Sequence, residues 1–265
     1  MNIGIDIGGT HTRIATGNLG KVDKKFDFPT LEFKETLREI VSRVREVAGD
    51  QKAQVGVAIP GPIETKTGLL RALPNLPTWR DQPLREILSQ ELDLEVKVEH
   101  DASLAALAES LYGSGKEKDP VLYYTVSTGI GTGLVAGGQI YKGVYNPEGG
   151  QQIVTGVNKN LEKLSSGTGL KELYGKDPAE IVGTPDWDKV LERLARGITN
   201  SIVHFSPEVV IIGGGLTTNK EAFFEPLVEK IRDFLTIYPL PLIAIPALGA
   251  DSTLVGAVEL ASQDS

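Results

Sequence analysis

Residues 2–15, NIGIDIGGTHTRIA, contain the pattern that decides the fold. A short apolar run ends in Asp6, and a Gly-Gly-Thr turn at residues 8–10 follows before an alternating segment begins at Thr12. This order predicts a strand, a tight turn and a second strand. Dinucleotide-binding and P-loop motifs instead lead from their glycines into a helix. The pattern therefore excludes those two nucleotide-binding folds.

A second copy of this arrangement occupies residues 121–137, where VLYYTVS, a glycine turn at residues 128–131 and GLVAGG follow one another. Two copies predict an internally duplicated fold. Elsewhere predicted strands and helices alternate, so we expect an α/β protein with mixed sheets flanked by helices. We divide the chain into an N-terminal lobe, residues 1–112, joined by the closing helix 253–265, and a C-terminal lobe, residues 113–252.

The composition of the chain disfavours several classes of function. The formal net charge is −8, which disfavours a nucleic-acid partner because such proteins concentrate Lys and Arg on one face. The absence of cysteine excludes disulfides and cysteine-ligated metals, and the three histidines are far apart in sequence. There is no leader-like segment and no run of about 20 apolar residues. We therefore expect a cytoplasmic protein with no membrane partner.

The glycine turns suggest a nucleotide site. A turn without side chains lets backbone N–H groups approach a phosphate oxygen. Asp6 would repel that phosphate unless Mg²⁺ lay between them, so we predict Mg²⁺ held by Asp6 through water. The alternative is an ordinary hairpin turn. The nucleotide-binding candidates are Asp6, Gly8, Gly9, Thr10, Thr12, Thr128, Gly129, Gly131, Gly214 and Gly215.

The order of motifs resembles the ROK family of sugar kinases over nearly the whole chain. The motifs are MNIGIDIGGTHTRIA, VGVAIPGPIE, LPNLPTW, VEHDASLAALAE, TVSTGIGTGLVAGGQIYKG, NPEGGQ and IIGGGL. Each is weak alone, and together they are specific. The resemblance implies an actin-like, ribonuclease H-like fold of two lobes, with ATP in the cleft and sugar at the lobe boundary.

In that family an Asn-Asp pair binds sugar, and its Asp is the base toward the attacking hydroxyl. Here the pair reads His100-Asp101. A carboxylate suits this task because phosphoryl transfer depends on positioning the nucleophile and accepting its proton late. The alternative is that Asp101 caps the helix that starts at Ala102.

The resemblance also implies carboxylates that accept hydrogen bonds from sugar hydroxyls, a task suited to strong acceptors. The sugar-binding candidates are Gly61, Asn75, His100, Asp101, Glu148, Gln151 and Glu162, with Pro60 beside them. A surface-charge reading stays open for Glu162, and an ordinary turn stays open for Pro60 and Gly61.

Three positions depart from the family pattern. Gln151 replaces a His that contacts sugar and ligates zinc, and the cysteine-rich loop after it is shortened, so we predict no zinc site. His100 replaces the sugar-contacting Asn. His11 replaces a frequent Lys, so we expect a phosphate-facing charge to be missing there.

The resemblance implies an ATP- and Mg²⁺-dependent kinase that phosphorylates a hexose hydroxyl, with relatives that are commonly homodimers. One alternative is a sugar-sensing regulator, disfavoured because a glycine turn at residue 8 leaves no room for a preceding helix-turn-helix. The other is a degenerate protein that binds sugar without catalysis, and retention of Asp6 and Asp101 argues against it.

Overall fold

The computed structural model describes residues 1–64, 67–71, 73, 76–156 and 159–263. The strands are β1 Asn2–Ile7, β2 His11–Asn18, β3 Lys21–Pro29, β4 Gln54–Ile59, β5 Glu95–His100, β6 Val121–Val126, β7 Ile130–Ala136, β8 Gln139–Ile140, β9 Val209–Gly213 and β10 Leu242–Ala244. The α-helices are α1 Phe33–Ala48, α2 Leu84–Leu92, α3 Asp101–Tyr112, α4 Leu161–Ser165, α5 Gly167–Tyr174, α6 Pro178–Ile181, α7 Pro185–Phe205, α8 Glu225–Phe234 and α9 Ser252–Ser262.

Within these described residues the strands form two five-stranded sheets built on the same plan. The first sheet has the order β3-β2-β1-β4-β5, and the second has the order β10-β9-β6-β7-β8. In the first, β1 pairs antiparallel with β2 and parallel with β4. In the second, β6 pairs antiparallel with β7 and parallel with β9. The predicted class, α/β with duplicated mixed sheets, is confirmed.

Helices α3 and α9 pack against each other between the two sheets. Both are rich in small and apolar residues, so their backbones come close to their neighbours. A Cβ on Gly56 of β4 would lie 2.0 Å from the Ala257 carbonyl oxygen of α9. A Cβ on Gly133 of β7 would lie 2.2 Å from the Ala102 carbonyl oxygen of α3. Glycine at these positions therefore lets the helices seat directly on the sheets.

Glu109 fastens the end of α3 to the segment that precedes α9. This carboxylate has no exposed surface and accepts hydrogen bonds from the backbone N–H groups of Ser114, Ala247 and Leu248 and from the Ser252 hydroxyl. A buried carboxylate with this many donors is well satisfied. The contacts fix α9 relative to α3, the helix that begins at Asp101.

Several elements differ from the sequence-based expectation. Strand β3 and helices α4 to α6 were not predicted, and the helix expected from about Phe223 begins as a π-helical turn at Lys220–Phe224 before α8. The lobe boundary between residues 112 and 113 stays a prediction. None of the helices described here combines the length and apolar character that crossing a membrane requires.

Candidate active site

A cavity of about 570 Å³ opens between the first hairpin (β1–β2) and the second hairpin (β6–β7). Residues from both sheets line it, as the resemblance implied. The predicted site residues that it brings together are Asp6, Gly8, Gly9, Thr10, Gly61, His100, Asp101, Thr128, Gly129, Gly131, Glu148, Gln151 and Glu162, with Pro60 and His11 beside them.

Thr12, Gly214 and Gly215 were expected at this site but are absent from the described lining of the cavity. Thr12 has no exposed surface, and its hydroxyl bonds the Thr30 hydroxyl at 2.8 Å. Alternation along β2 explains this, because Thr12 faces inward while its neighbours face the cleft. A Cβ on Gly214 would lie 2.4 Å from the Val126 carbonyl oxygen, so this glycine packs against β6. The Asn75 prediction lies outside the described residues.

The first hairpin carries an ion pair that sequence reasoning missed. The antiparallel register places Arg13 opposite Asp6. The Arg13 guanidinium donates to Asp6 Oδ2 through Nε at 3.0 Å and also through Nη2, and its Nη1 donates to the Ala250 carbonyl oxygen at 2.7 Å. Burial raises the Asp6 pKa, and the charge of Arg13 opposes that rise. Both guanidinium bonds to Asp6 fall on Oδ2.

Arg13 supplies a fixed positive charge on the cavity wall. His11 also lines the cavity, but its ring bonds the exposed Asp27 carboxylate at 2.7 Å. The missing charge expected at His11 is therefore present two residues later. Counting from a turn at residues 8–10 would place Thr12 opposite Asp6, and it is the observed register, with Ile7 opposite Thr12, that brings Arg13 opposite Asp6.

The second hairpin is neutral and is braced by Glu162. The Ile130 backbone N–H donates to Glu162 Oε2 at 2.8 Å, which commits one of the donors expected at this turn. A Cβ on Gly129 would lie 2.7 Å from the same oxygen, and one on Gly131 would lie 3.1 Å from Thr125 Cγ2. Glycine at these two positions therefore keeps the turn close to Glu162 and leaves the cavity open.

Asp101 is the first residue of α3 and lines the cavity with a partly exposed side chain. Its Oδ1 accepts from the Ala102 backbone N–H at 2.6 Å and lies 3.2 Å from His100 Nε2. The alternative that Asp101 serves the helix terminus is thus compatible with a place in the site. Because both contacts use Oδ1, Oδ2 is the oxygen with which Asp101 can accept a proton.

His100 is almost completely buried, with 2 % of its side chain exposed. Its Nε2 lies 3.2 Å from Asp101 Oδ1 and 3.6 Å from Glu148 Oε1, and its Nδ1 lies 3.3 Å from the Ser103 hydroxyl. Two carboxylates facing one nitrogen require a proton on Nε2, because oxygen acceptors would otherwise face a lone pair. That single N–H lies nearer to Asp101 Oδ1 than to Glu148 Oε1, and Glu148 Oε1 is left without a hydrogen bond among the described residues.

Glu148 is a second carboxyl group of the cavity whose pKa is raised. Burial raises its pKa to about 7, helped by the charges of Asp101 and Glu162 and opposed by His100. Its buried Oε1 has no hydrogen-bond partner among the described residues. A Cβ on Gly61 would lie 2.4 Å from that oxygen, so only glycine fits there. An unpaired buried acceptor on a cavity wall is suited to a hydroxyl-bearing ligand.

Glu99, also missed in the sequence, holds the backbone behind these residues. Its buried carboxylate accepts from the His100 backbone N–H and from Asn146 Nδ2, each at 2.8 Å, and pairs with Lys142 Nζ at 2.8 Å. It thereby connects the end of β5 to the segment that leads into Glu148. Nothing in the sequence pattern distinguishes this glutamate from a surface charge.

The polar wall of the cavity consists of Glu148, Gln151 and Glu162. Among the described residues no group of three or more His, Cys, Asp and Glu side chains is arranged to hold a metal ion. Asp6 alone offers a carboxylate beside the glycine turn, with its Oδ1 outside the Arg13 contacts. That donor set fits a hydrated Mg²⁺ on a phosphate better than a metal held by protein alone.

Comparisons with known proteins match the chain to one family over almost its whole length. The model of the ROK family matches residues 2–264. A curated relative, the glucokinase of Thermotoga maritima, is 30 % identical, over 97 % of this chain and 96 % of the relative.

Solved structures show the same fold. A ROK hexokinase from Thermus thermophilus superposes with a TM-score of 0.84 at 29 % identity, covering 98 % of this chain and 97 % of that one. A ROK family glucokinase from Streptomyces griseus, in complex with glucose and AMPPNP, has a TM-score of 0.85 at 24 % identity, with 99 % of each chain covered. With the two sheets, these matches confirm the actin-like fold.

Proposed function

The chain belongs to the ROK family, and from that premise we propose that it is a sugar kinase that transfers the γ-phosphoryl group of ATP to a hexose hydroxyl. One observation carries the proposal. Asp101 lines a cleft between two glycine hairpins, its Oδ1 bonded to the Ala102 backbone N–H and 3.2 Å from His100 Nε2, with Oδ2 left to act as a base. The glucokinase and hexokinase names of the relatives support the same activity.

In this mechanism Asp101 orients the attacking hydroxyl and accepts its proton late in the transfer. His100 Nε2 lies 3.2 Å from Asp101 Oδ1, and this proximity favours one orientation of the carboxylate. A fixed base lowers the entropic cost of reaching the reactive geometry. His100 is then a positioning residue for the base as well as part of the sugar site.

The nucleotide lies between the hairpins in this proposal. Backbone N–H groups of residues 9, 10, 128 and 129 donate to phosphate oxygens, and Arg13 adds a fixed positive charge. Asp6 would hold Mg²⁺ through water, and the ion would neutralise phosphate charge. The nucleotide analogue in the Streptomyces griseus structure supports ATP as donor.

The polar wall binds the sugar. Glu148 and Glu162 accept from hydroxyl groups, and Gln151 donates to one. A pKa of about 7 leaves Glu148 partly protonated at neutral pH, so it can also donate. Sugar identity, the homodimer and the assignment of Asn75, Gly214 and Gly215 stay predictions.

A coupled assay for ADP tests the proposal. Purified protein is incubated with Mg-ATP and, one at a time, glucose, mannose, fructose, allose or an N-acetylated hexose, with a no-sugar control for ATP hydrolysis. We expect at least one sugar to produce ADP well above that control, together with a sugar phosphate seen by ³¹P NMR. ADP formation equal to the control with every sugar would contradict the kinase and favour a sugar-binding protein without catalysis.

A further inference from the structure

Asn160 lies just outside the polar wall and contacts it through one hydrogen bond. Its side-chain Nδ2 donates to Gln151 Oε1 at 2.6 Å. Gln151 Nε2 in turn donates to Glu162 Oε1 at 3.4 Å, and Glu162 Oε2 accepts from the Ile130 backbone N–H at 2.8 Å. The contacts form a chain from α4 to the second hairpin that passes through two of the three wall residues.

The direction of every bond in this chain is fixed by backbone groups at its two ends. Asn160 is the N-cap of α4, and its Oδ1 accepts from the Lys163 backbone N–H at 2.9 Å. A backbone N–H can only donate, so the atom that it meets must be the oxygen. The remaining atom of the Asn160 amide is Nδ2, which faces Gln151 as a donor. The orientation of Asn160 is therefore not free.

The orientation of Gln151 follows from that of Asn160. If the Gln151 amide turned over, its Nε2 would face the Nδ2 donor of Asn160 and its Oε1 would face the Glu162 carboxylate. Both contacts would then be repulsive. The native orientation points the amide nitrogen toward Glu162 and leaves its second N–H for a ligand in the cavity that Gln151 lines.

We propose that Asn160 is a positioning residue that fixes the Gln151 amide, so that this wall presents a donor from Gln151 beside an acceptor from Glu162 to sugar hydroxyls. The inference rests on the proposed sugar kinase function. A sugar hydroxyl that meets an amide of uncertain orientation loses a hydrogen bond in part of the population, which weakens binding without touching the base. Asn160 therefore acts on sugar affinity and leaves the chemical step unchanged.

The substitution Asn160→Ser separates the effect of Asn160 on the orientation of the Gln151 amide from its effect as a helix cap. Serine caps helices about as well as asparagine, but it is too short to replace the amide donor to Gln151. Asn160→Asp is a second variant that also keeps the cap and removes the donor. The matched control is Asn219→Ser, because Asn219 caps another helical turn by accepting from the Ala222 backbone N–H at 3.0 Å and does not line the cavity.

Steady-state kinetics and thermal unfolding are measured for each variant, with the best sugar found for the wild type. For Asn160→Ser we expect the sugar KM to rise about tenfold, with kcat, the KM for Mg-ATP and the Tm close to wild type. Asn219→Ser leaves all four quantities unchanged. In a Gln151→Ala background, Asn160→Ser adds no further increase, because its effect passes through Gln151.

The other outcomes would contradict either the positioning role of Asn160 or the kinase proposal itself. A wild-type sugar KM in both Asn160 variants, or an increase that persists in the Gln151→Ala background, overturns the positioning assignment alone. A fall in Tm that accounts for the kinetic change reduces Asn160 to a structural cap and also overturns it. A wild-type protein that phosphorylates none of the sugars overturns the kinase proposal and this inference with it.

Discussion

Asp6 and Glu148 are carboxyl groups of the same cleft, Asp6 buried and Glu148 partly buried, but their neighbours differ. Asp6 is paired with Arg13, whose guanidinium stays charged at every accessible pH. The basic side chain nearest to Glu148 is that of His100, whose Nε2 lies 3.6 Å from Glu148 Oε1. Burial raises the pKa of both carboxyl groups. The first hairpin therefore keeps its positive charge at every accessible pH, whereas the protonation of the polar wall changes near neutral pH.

The largest expected effect comes from Asp101, whose negative charge raises the pKa of both groups. We expect Asp101→Asn to lower kcat by at least about 100-fold, because the amide cannot accept the hydroxyl proton. The sugar Kd changes little, since the amide still hydrogen-bonds. The coupled assay and titration calorimetry measure these two quantities. Turnover equal to wild type would remove Asp101 as the base.

The second prediction concerns the Arg13–Asp6 ion pair of the first hairpin. Arg13→Ala leaves Asp6 buried without a counter-charge and removes the positive charge from the cavity wall. We expect kcat/KM for Mg-ATP to fall by about 10- to 100-fold, with the sugar KM nearly unchanged. Arg13→Lys is the matched control, because it keeps the charge but loses the two-point contact. We expect its kcat/KM for Mg-ATP to lie between those of wild type and Arg13→Ala. Equal losses for ATP and sugar would contradict the comparison.

The third prediction uses the pH dependence of stability. The folded-state pKa of Glu148 is about 7, against 4.5 for the free group, so the folded protein holds this proton more tightly than the unfolded chain does. Its contribution to stability is fully present below about pH 4.5 and is lost as the pH rises through about 7. Glu148→Gln lacks this titration, so its stability relative to wild type increases with pH.

Urea unfolding of wild type and Glu148→Gln at pH 5 and pH 8 measures this change. We expect the difference in unfolding free energy to move in favour of the variant by up to roughly 3 kcal/mol. Asp23→Asn is the control, because Asp23 is an exposed residue of β3 outside the cavity lining. A difference that is independent of pH would mean that Glu148 is ionised throughout.

The smallest effect is expected in the second hairpin, which carries no charge and contributes to the cavity through the close packing of its glycines. In Gly131→Ala the added methyl group would lie 3.1 Å from Thr125 Cγ2 and 3.2 Å from Ala102 Cβ. We expect a loss of about 1 kcal/mol in stability, since the surrounding atoms must shift slightly. Gly156→Ala is the control, because nothing lies within 4 Å of its added Cβ. Thermal unfolding compares the two, and identical Tm values would contradict the steric argument.

The parts of the fold with strong periodicity could be predicted from the sequence. The two hairpins were found because apolar alternation around glycine turns is visible in a single chain. Strand β3, KVDKKFDFP, was missed because it is a polar edge strand in which exposed residues outnumber buried ones. Helices α4 to α6 were missed because they are only four to eight residues long. Periodicity needs a longer window than such helices provide.

Some residues of the candidate site could likewise be predicted from the sequence, and others could not. The resemblance supplied Asp101 and Glu148, both of which line the cavity. Arg13 was missed although strand register alone puts it opposite Asp6. Thr12 was assigned to the nucleotide because of its place after the turn, and the pleat of β2 buries it instead. A linear pattern identifies residue types near a turn, but the direction of each side chain depends on which face the sheet buries.

A crystal structure with AMPPNP and the best sugar tests the central claim most directly. We expect the phosphates to lie between residues 8–10 and 128–131, and one sugar hydroxyl to lie about 2.6–3.2 Å from Asp101 Oδ2. Phosphates away from both hairpins, or a sugar with no hydroxyl near Asp101, would contradict it.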